Sequence, residues 1–231
     1  MRHSLMRNRV QTFILKNSHF VMVFIFLLLN LQFAVLEKTV VPRFWISAPL
    51  DDYIPFVPVF VIPYLAWFGI IAVALVILYF HDAGDFVRTF SLLCAGMAAA
   101  VFIYGIFPHG QLLRPRQLDD DVFSRLIAGV VYAHDTNTNC FPSIHVLNQL
   151  AIHIGLCKSR LMRDRRGWKT ASLAATVLVC MSTVLIKQHS ILDVIAALLL
   201  EIPLYLLVYR VDWSNGRLWK RIKRQFPSVN G

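Results

Sequence analysis

The amino-acid sequence predicts an all-α integral membrane protein with six transmembrane helices in one bundle. Of its 231 residues, 57% are hydrophobic and 16% are charged, and the mean hydropathy is +0.60. A soluble domain of this length would not carry so much apolar surface. The apolar residues also fall in blocks of about 17 to 25, the length that crosses roughly 30 Å of hydrocarbon. Such spans are expected to be helical because lipid offers the backbone no hydrogen-bond partners.

Six apolar blocks define the predicted spans. No repeat or low-complexity linker separates them, so we expect one membrane domain over residues 1–231 with its catalytic bundle over 20–209. The predicted spans are Phe20–Leu36, Phe56–Phe80, Phe86–Phe107, Pro142–Cys157, Trp168–Ile186 and His189–Tyr209.

The distribution of basic residues predicts the orientation. Seventeen of the 23 lysines and arginines lie in or beside the two tails, the second loop and the fourth loop, and six lie in the other three loops. The positive-inside rule therefore predicts a multi-pass protein whose tails, 1–19 and 210–231, are both cytoplasmic. The net charge of +10 is explained by attraction to anionic inner-leaflet lipid, so nucleic acid is not an expected partner.

The long third loop, Pro108–Phe141, contains an amphipathic segment, "DDDVFSRLIAGVVYAHD". Its apolar residues recur at helical spacing, and the acidic residues at its start suit a helix dipole. The segment is too short and too polar to span, so we expect a short interfacial helix on the outer membrane surface.

Three polar clusters are predicted to lie at the same depth, on the outer face. They are Arg114 and Arg116 in "FPHGQLLRPR", Ser143 and His145 in "NCFPSIHV", and Lys187, His189 and Asp193 in "STVLIKQHSILDV". Because they come from separate parts of the chain and meet at one membrane face, we interpret them as one site between helices.

The residue types in this site suit phosphoryl transfer. Arginine offers a fork of donors that matches phosphate oxygens, and Ser143 opens a predicted helix whose N-terminus favours an anion. His189 and Asp193 are four residues apart, which predicts one helix face, so that the carboxylate orients the imidazole for attack. His145 is then a candidate proton donor. Taken alone, the His189–Asp193 pair is equally compatible with a structural contact.

These residues resemble the motifs of the type 2 phosphatidic acid phosphatase superfamily, which includes the vanadium haloperoxidases. The family patterns are Lys-x6-Arg-Pro, Pro-Ser-x-His and Ser-Arg-x5-His-x3-Asp. The matching positions are Arg114-Pro115, then Pro142-Ser143-Ile144-His145, and then Ser182-Thr183 with His189 and Asp193. The resemblance implies that His189 is the nucleophile, Asp193 its orienter and His145 the general acid, and that no metal or other cofactor is needed.

Two cations of the family pattern are missing. Thr183 stands where the family has arginine, and Phe107 stands where it has lysine. Lys187 and Arg116 are the local candidates to supply the charge, beside the phosphate cradle of Arg114 and Ser143 that the resemblance implies. The stretches "RPR", "FPSIH" and "KQH" resemble the branch that contains the inositol phosphorylceramide and sphingomyelin synthases.

The expected function is that of a metal-independent lipid-phosphate phosphatase or phosphotransferase, acting at the outer leaflet. Its substrate would be a membrane lipid with a phosphate or phosphodiester headgroup. A transporter for anionic lipids or phosphate, and a catalytically inactive binding protein, are the alternatives. The absence of a visible internal repeat disfavours the transporter.

A second polar line lies deeper in the predicted helices. His153 follows His145 by eight residues, and Glu201 follows Asp193 by eight. A glutamate at that depth is costly unless it is paired or neutral. We therefore expect Glu201 to face the bundle interior with His153 as its partner.

Overall fold

The computed structural model describes residues 18–211, and the predictions for the two tails fall largely outside them. The helices and strands are α1 (Ser18–Thr39), β1 (Phe44–Trp45), α2 (Pro49–Tyr53), α3 (Val61–His81), α4 (Ala83–Ile106), β2 (His109–Gly110), α5 (Val122–Leu126), α6 (Tyr132–His134), α7 (Ile144–Lys158), α8 (Arg166–Leu185) and α9 (Ile191–Tyr205). Two 3-10 turns, Pro58–Phe60 and Arg160–Met162, and two π-helical turns, Ile127–Val131 and Leu206–Arg210, complete the regular structure.

Five helices are long and apolar enough to cross a membrane, and they agree with five of the six predicted spans. These are α1, α3, α4, α8 and α9, the last extended by its π-helical turn. The remaining predicted span corresponds to α7, which has only 15 residues and a length of about 22 Å. The helical membrane class is therefore confirmed, and the count of six spans stays a prediction.

The short helix α7 lies at the centre of the bundle, in contact with α3, α4, α8 and α9. Nine of its 15 residues are buried. Gly155 brings it close to α4, because a Cβ at this position would lie 2.2 Å from Thr89 Oγ1. Small residues permit such close approach between membrane helices. Since α7 is surrounded by protein, it needs less apolar surface than a helix that faces lipid.

The loops and short elements gather at one end of the bundle. The strands β1 and β2 pair in parallel, with Phe44 opposite His109. At the same end, Val57 N donates to Leu185 O at 2.9 Å, and Ser143 N donates to Asp193 O at 3.2 Å. This end therefore joins the C-terminus of α8 to the N-termini of α7 and α9.

The amphipathic segment of the third loop is helical over Val122–His134, with a π-helical turn in its middle. Ile127 and Val131 are buried and pack against Val61, Tyr64 and Ile186 of the bundle. Much of the apolar face is thus used within the protein, while other apolar residues of the segment remain exposed. Its position at the membrane surface stays a prediction.

The deeper polar line is only partly as predicted. Glu201 is buried in the bundle, as expected, but neither carboxylate oxygen has a hydrogen-bond partner among residues 18–211. The predicted partnership with His153 is wrong, because His153 Nδ1 lies 3.0 Å from Ser172 Oγ on α8. One turn earlier, Gln149 Nε2 donates to Thr176 Oγ1 of α8. This face of α7 is therefore turned towards α8.

Candidate active site

The turn between α8 and α9 carries His189. α8 ends at Leu185, Lys187 adopts a left-handed backbone with φ 56°, and Ser190 caps α9 through its side chain. Asp193 Oδ2 accepts hydrogen bonds from the Ser190 backbone N–H at 3.0 Å and from His189 Nδ1 at 3.1 Å.

The contact between His189 and Asp193 therefore exists, but not for the predicted reason. α9 begins at Ile191, so His189 precedes the helix and the two residues do not share a helix face. Asp193 instead forms a capping box with Ser190, in which the carboxylate of the third helical residue reaches back to the N-cap backbone. The same carboxylate oxygen lies beside His189 Nδ1. Because Nδ1 faces this carboxylate, the ring is held as the tautomer that leaves Nε2 free of hydrogen.

His145 lies opposite the free nitrogen of His189. His189 Nε2 and His145 Nδ1 are 3.4 Å apart. Ser143, which is fully buried, caps α7 two residues earlier. On its other side, His145 Nε2 lies 3.8 Å from Asp135 Oδ2. The structure thus arranges two imidazoles in a row, with a carboxylate at each end.

The three predicted cations lie in different surroundings. Arg114 is half-buried, donates from Nη2 to Gln188 Oε1 at 2.7 Å, and stacks over the Tyr132 ring. Burial lowers the pKa of its guanidinium, against the opposing effect of nearby Tyr132. Lys187 Nζ donates to the backbone carbonyl of Asp51 at 2.7 Å, away from the histidine pair. Arg116 is exposed.

Asp135 was not singled out from the sequence, although it ends the amphipathic segment. Tyr64 OH donates to Asp135 Oδ2, and Arg114 Nη2 donates to its backbone carbonyl. Burial is the main cause that raises the pKa of this carboxyl, while the hydrogen bond from Tyr64 opposes the shift. Asp135 therefore joins Arg114 to the histidine pair. The segment's terminal "HD" offered a signal, but its apolar periodicity indicated only an amphipathic helix.

Polar side chains of the third loop hold the turn that carries His189 and the start of α7. Gln111 Nε2 donates to the carbonyls of Lys187 and Gln188. His109 Nδ1 lies 2.6 Å from the carbonyl of Phe107, and its Nε2 accepts from the Phe141 N–H at 2.6 Å. Burial is the main cause that lowers the pKa of His109, which favours the neutral ring that accepts this bond. None of these contacts follows from a motif.

Asp51, in the short helix α2, is a second residue that the sequence did not reveal. Its carboxylate is buried and accepts hydrogen bonds from Ser190 Oγ at 2.6 Å, Ile191 N at 2.8 Å and Ala48 N at 2.7 Å. Together with the Lys187 bond to its carbonyl, these contacts fasten the first loop to the turn that carries His189. We therefore regard Asp51 as a positioning residue.

With His189 as the nucleophile that the motif resemblance implies, replacement of Asp51 by alanine is expected to lower kcat about 10- to 100-fold with little change in KM, because loss of these bonds would let His189 shift from its position. Asp51→Asn keeps an acceptor oxygen and should recover part of the loss. Steady-state kinetics below the unfolding temperature test this, with the exposed neighbour variant Asp52→Ala as control. Unchanged kcat in folded Asp51→Ala would remove the positioning role.

One group of side chains has donor atoms close enough to approach a metal ion. Within the described residues, ligand atoms of Cys140, His189 and Asp193 lie within 4.8 Å of one another. A metal-bound cysteine is a thiolate. Burial of Cys140, with the carboxylates of Asp193 and Asp135 as further causes, raises the pKa of its thiol well above its usual value. The set therefore fits a metal poorly.

A cavity of about 670 Å³ opens beside the histidine pair and extends between α1, α3, α4 and α7. His145, His189 and Asp135 lie in its wall. Beyond them the wall is mostly apolar, and it includes Phe26, Phe33, Leu65, Ile71, Leu75 and Met97. Such a wall suits a hydrocarbon chain, and the position of the histidines suits a polar headgroup.

Comparison with known proteins gives one result that bears on this site. The model of the PAP2 superfamily matches residues 89–217, more than half of the chain. The match includes the described positions of Arg114, Ser143, His145, His189 and Asp193. No curated protein and no solved structure matches the chain.

Proposed function

From the premise that this chain belongs to the PAP2 superfamily, whose members are phosphoric ester hydrolases, we propose that it is a membrane-embedded lipid-phosphate phosphatase or phosphotransferase. It works through a phosphohistidine at His189. The observation that carries this proposal is the orientation of His189: its Nδ1 is held by Asp193, and its Nε2 faces His145 beside a largely apolar cavity.

In the first step, the lone pair of His189 Nε2 attacks the phosphorus atom of the lipid phosphate. The N–P bond forms as the P–O bond to the lipid breaks. His145, as imidazolium, gives its Nδ1 proton to the leaving oxygen. The Asp193 carboxylate stabilises the positive charge that develops on His189. Asp135, 3.8 Å from His145 Nε2, stabilises the protonated form of His145 in the same way.

In the second step, the oxygen of water or of an alcohol attacks the phosphohistidine. Its proton passes to the neutral His145, the N–P bond breaks, and the electron pair returns to His189. With water, the net reaction is hydrolysis to the lipid alcohol and phosphate. With an alcohol, the phosphoryl or phosphoryl-headgroup unit is transferred. The motif likeness to the inositol phosphorylceramide and sphingomyelin synthase branch favours transfer.

Arg114 and Ser143 are the proposed phosphate cradle. Arg114 adjoins the site through Asp135 and Gln188, and Ser143 caps the helix that carries His145. Arg116 and Lys187 remain candidates for added positive charge. In this arrangement, however, the Lys187 ammonium donates hydrogen bonds to the backbone carbonyls of Asp51 and Ile54.

The proposed topology has six spans, with the site at the outer face. α7 is short, but its contacts on several sides suit a helix that crosses within protein rather than within lipid. The helix over Val122–His134 is proposed to lie at the outer surface, above the cavity. The basic fourth loop and the basic residues of both tails support cytoplasmic tails.

A substrate panel tests the proposed function. The purified protein in lipid nanodiscs is given lipid phosphates and phosphodiesters, with and without alcohol acceptors, in the presence of a chelator. Mass spectrometry of the products distinguishes hydrolysis from transfer. We expect turnover together with an acid-labile, base-stable phosphoenzyme. Binding of labelled lipid phosphate with neither product nor phosphoenzyme would favour the transporter or binding protein.

A further inference from the structure

Three polar side chains in the cavity wall have buried atoms without a hydrogen-bond partner among residues 18–211. They are Trp67 Nε1, Asn148 Oδ1, and both Oδ1 and Nδ2 of Asn139. The residues are 8%, 1% and 3% exposed, respectively. Burial of an unpaired polar group costs free energy, and most buried polar groups in proteins are paired. Three such groups in one cavity indicate that a polar ligand belongs there.

Two of these residues lie at corresponding depths on neighbouring helices. Asn148 follows His145 by three residues on α7, and Trp67 follows Tyr64 by three on α3, so each lies about 4.5 Å deeper than the earlier residue. The rings of Tyr64 and Trp67 both contact the His145 ring, at centroid distances of 4.6 and 4.5 Å. The Trp67 indole therefore lies beside His145, next to the proposed phosphate position, and Asn148 lies about one turn further into the bundle.

Asn139 approaches the cavity from the loop before α7. Its backbone N–H donates to His109 O at 2.9 Å, and its φ of 55° is in the left-handed region. Asparagine tolerates this conformation better than most residues. Its backbone is thus fixed while its amide remains unpaired. Together, Trp67, Asn139 and Asn148 provide both donors and acceptors between the phosphate site and the apolar part of the cavity.

We propose that Trp67, Asn139 and Asn148 form a subsite for the polar linker that joins the phosphate of the substrate to its hydrocarbon chains. The substrate is then a lipid phosphate with an ester, amide or hydroxyl group a few bonds from phosphorus, and not a polyprenyl phosphate, which has no such group. The indole N–H donates to a carbonyl, and Asn148 Oδ1 accepts from an N–H or O–H. This inference rests on the proposed function.

Substrate competition with defined lipids tests the subsite. We expect wild-type kcat/KM for ceramide 1-phosphate and phosphatidic acid to exceed that for geranylgeranyl phosphate at least tenfold. Ceramide 1-phosphate has an amide and a hydroxyl in its linker, whereas phosphatidic acid has esters. Comparison of these two lipids therefore shows which kind of linker the subsite prefers. Asn148→Leu, which conserves shape, should lower kcat/KM for ceramide 1-phosphate about tenfold and leave geranylgeranyl phosphate within about twofold.

Two further variants keep the test independent of a folding defect. Trp67→Phe removes the N–H but keeps an aromatic ring. It should lower kcat/KM for phosphatidic acid more than kcat/KM for geranylgeranyl phosphate. Asn30→Leu is the matched control, because Asn30 also lines the cavity but its Nδ2 already donates to Phe26 O at 2.7 Å. Asn30→Leu should leave the ratios of kcat/KM between the three lipids unchanged.

Equal loss on all lipids in both Asn148→Leu and Trp67→Phe would overturn the subsite, as would wild-type turnover of geranylgeranyl phosphate equal to that of the other two. Either result leaves the proposed function intact. If the wild-type protein forms a phosphoenzyme with none of the three lipids and not with the soluble ester phenyl phosphate, the proposed function is contradicted, and the subsite with it.

Discussion

Replacement of His189 by alanine is expected to abolish both turnover and phosphoenzyme formation, lowering the rate by about four orders of magnitude or more. Loss of a catalytic nucleophile in other enzymes has effects of this size. The reason here is specific: Asp193 holds His189 Nδ1 at 3.1 Å, and the opposite ring nitrogen, Nε2, faces His145 beside the cavity.

The measurement is trapping of radiolabel from a lipid phosphate in the denatured protein, followed by acid and base treatment. His81→Ala is a matched control, since His81 ends α3 and is exposed. Equal melting temperatures of the two variants would show that a loss of label is chemical. Retention of label and of wild-type turnover by folded His189→Ala would exclude the phosphohistidine mechanism.

Much of the fold could be predicted because its signal is local. A span such as Val61–His81 is visible as a long apolar block without Asp, Glu, Lys or Arg, and five helices agree with apolar blocks of the sequence. The central helix α7 is the exception: its length was predicted correctly, but the sequence does not show that protein surrounds it. The need for a small residue at Gly155, which packs closely against Thr89 of α4, is likewise not visible in the sequence. Such packing depends on tertiary partners rather than on periodicity.

The candidate site was predictable where its residues belong to short motifs, as with His145 and His189. The supporting residues were not, because their contacts join distant parts of the chain. Asp51 bonds Ser190 across 139 positions, and Tyr64 bonds Asp135 across 71. No periodicity links such pairs. Lys187 illustrates the converse: it adjoins a motif in the sequence, yet its left-handed backbone and its bonds to loop carbonyls turn it from the histidines.

Replacement of His145 by glutamine is expected to have an effect that depends on the leaving group. With a lipid phosphate, whose alkoxide leaves poorly without a proton, kcat should fall about 10²- to 10⁴-fold, the range typical of general acid catalysis. With p-nitrophenyl phosphate, whose leaving group needs no proton, formation of the phosphoenzyme should fall less than about tenfold. A rapid-quench measurement of the first turnover separates this step from the second.

The two proposed steps give His145 distinct signatures, because in the proposed mechanism the same residue is the acid for phosphoenzyme formation and the base for its breakdown. His145→Gln with p-nitrophenyl phosphate should therefore form the phosphoenzyme quickly, resolve it slowly and accumulate it. His153→Gln is the matched control: it lies on the same helix, but it contacts Ser172 rather than the site, and it should accumulate none. An equal loss with both substrates would mean that His145 positions the phosphate instead of moving a proton. In that case, the 3.4 Å contact between His145 and His189 would serve to hold the nucleophile in place.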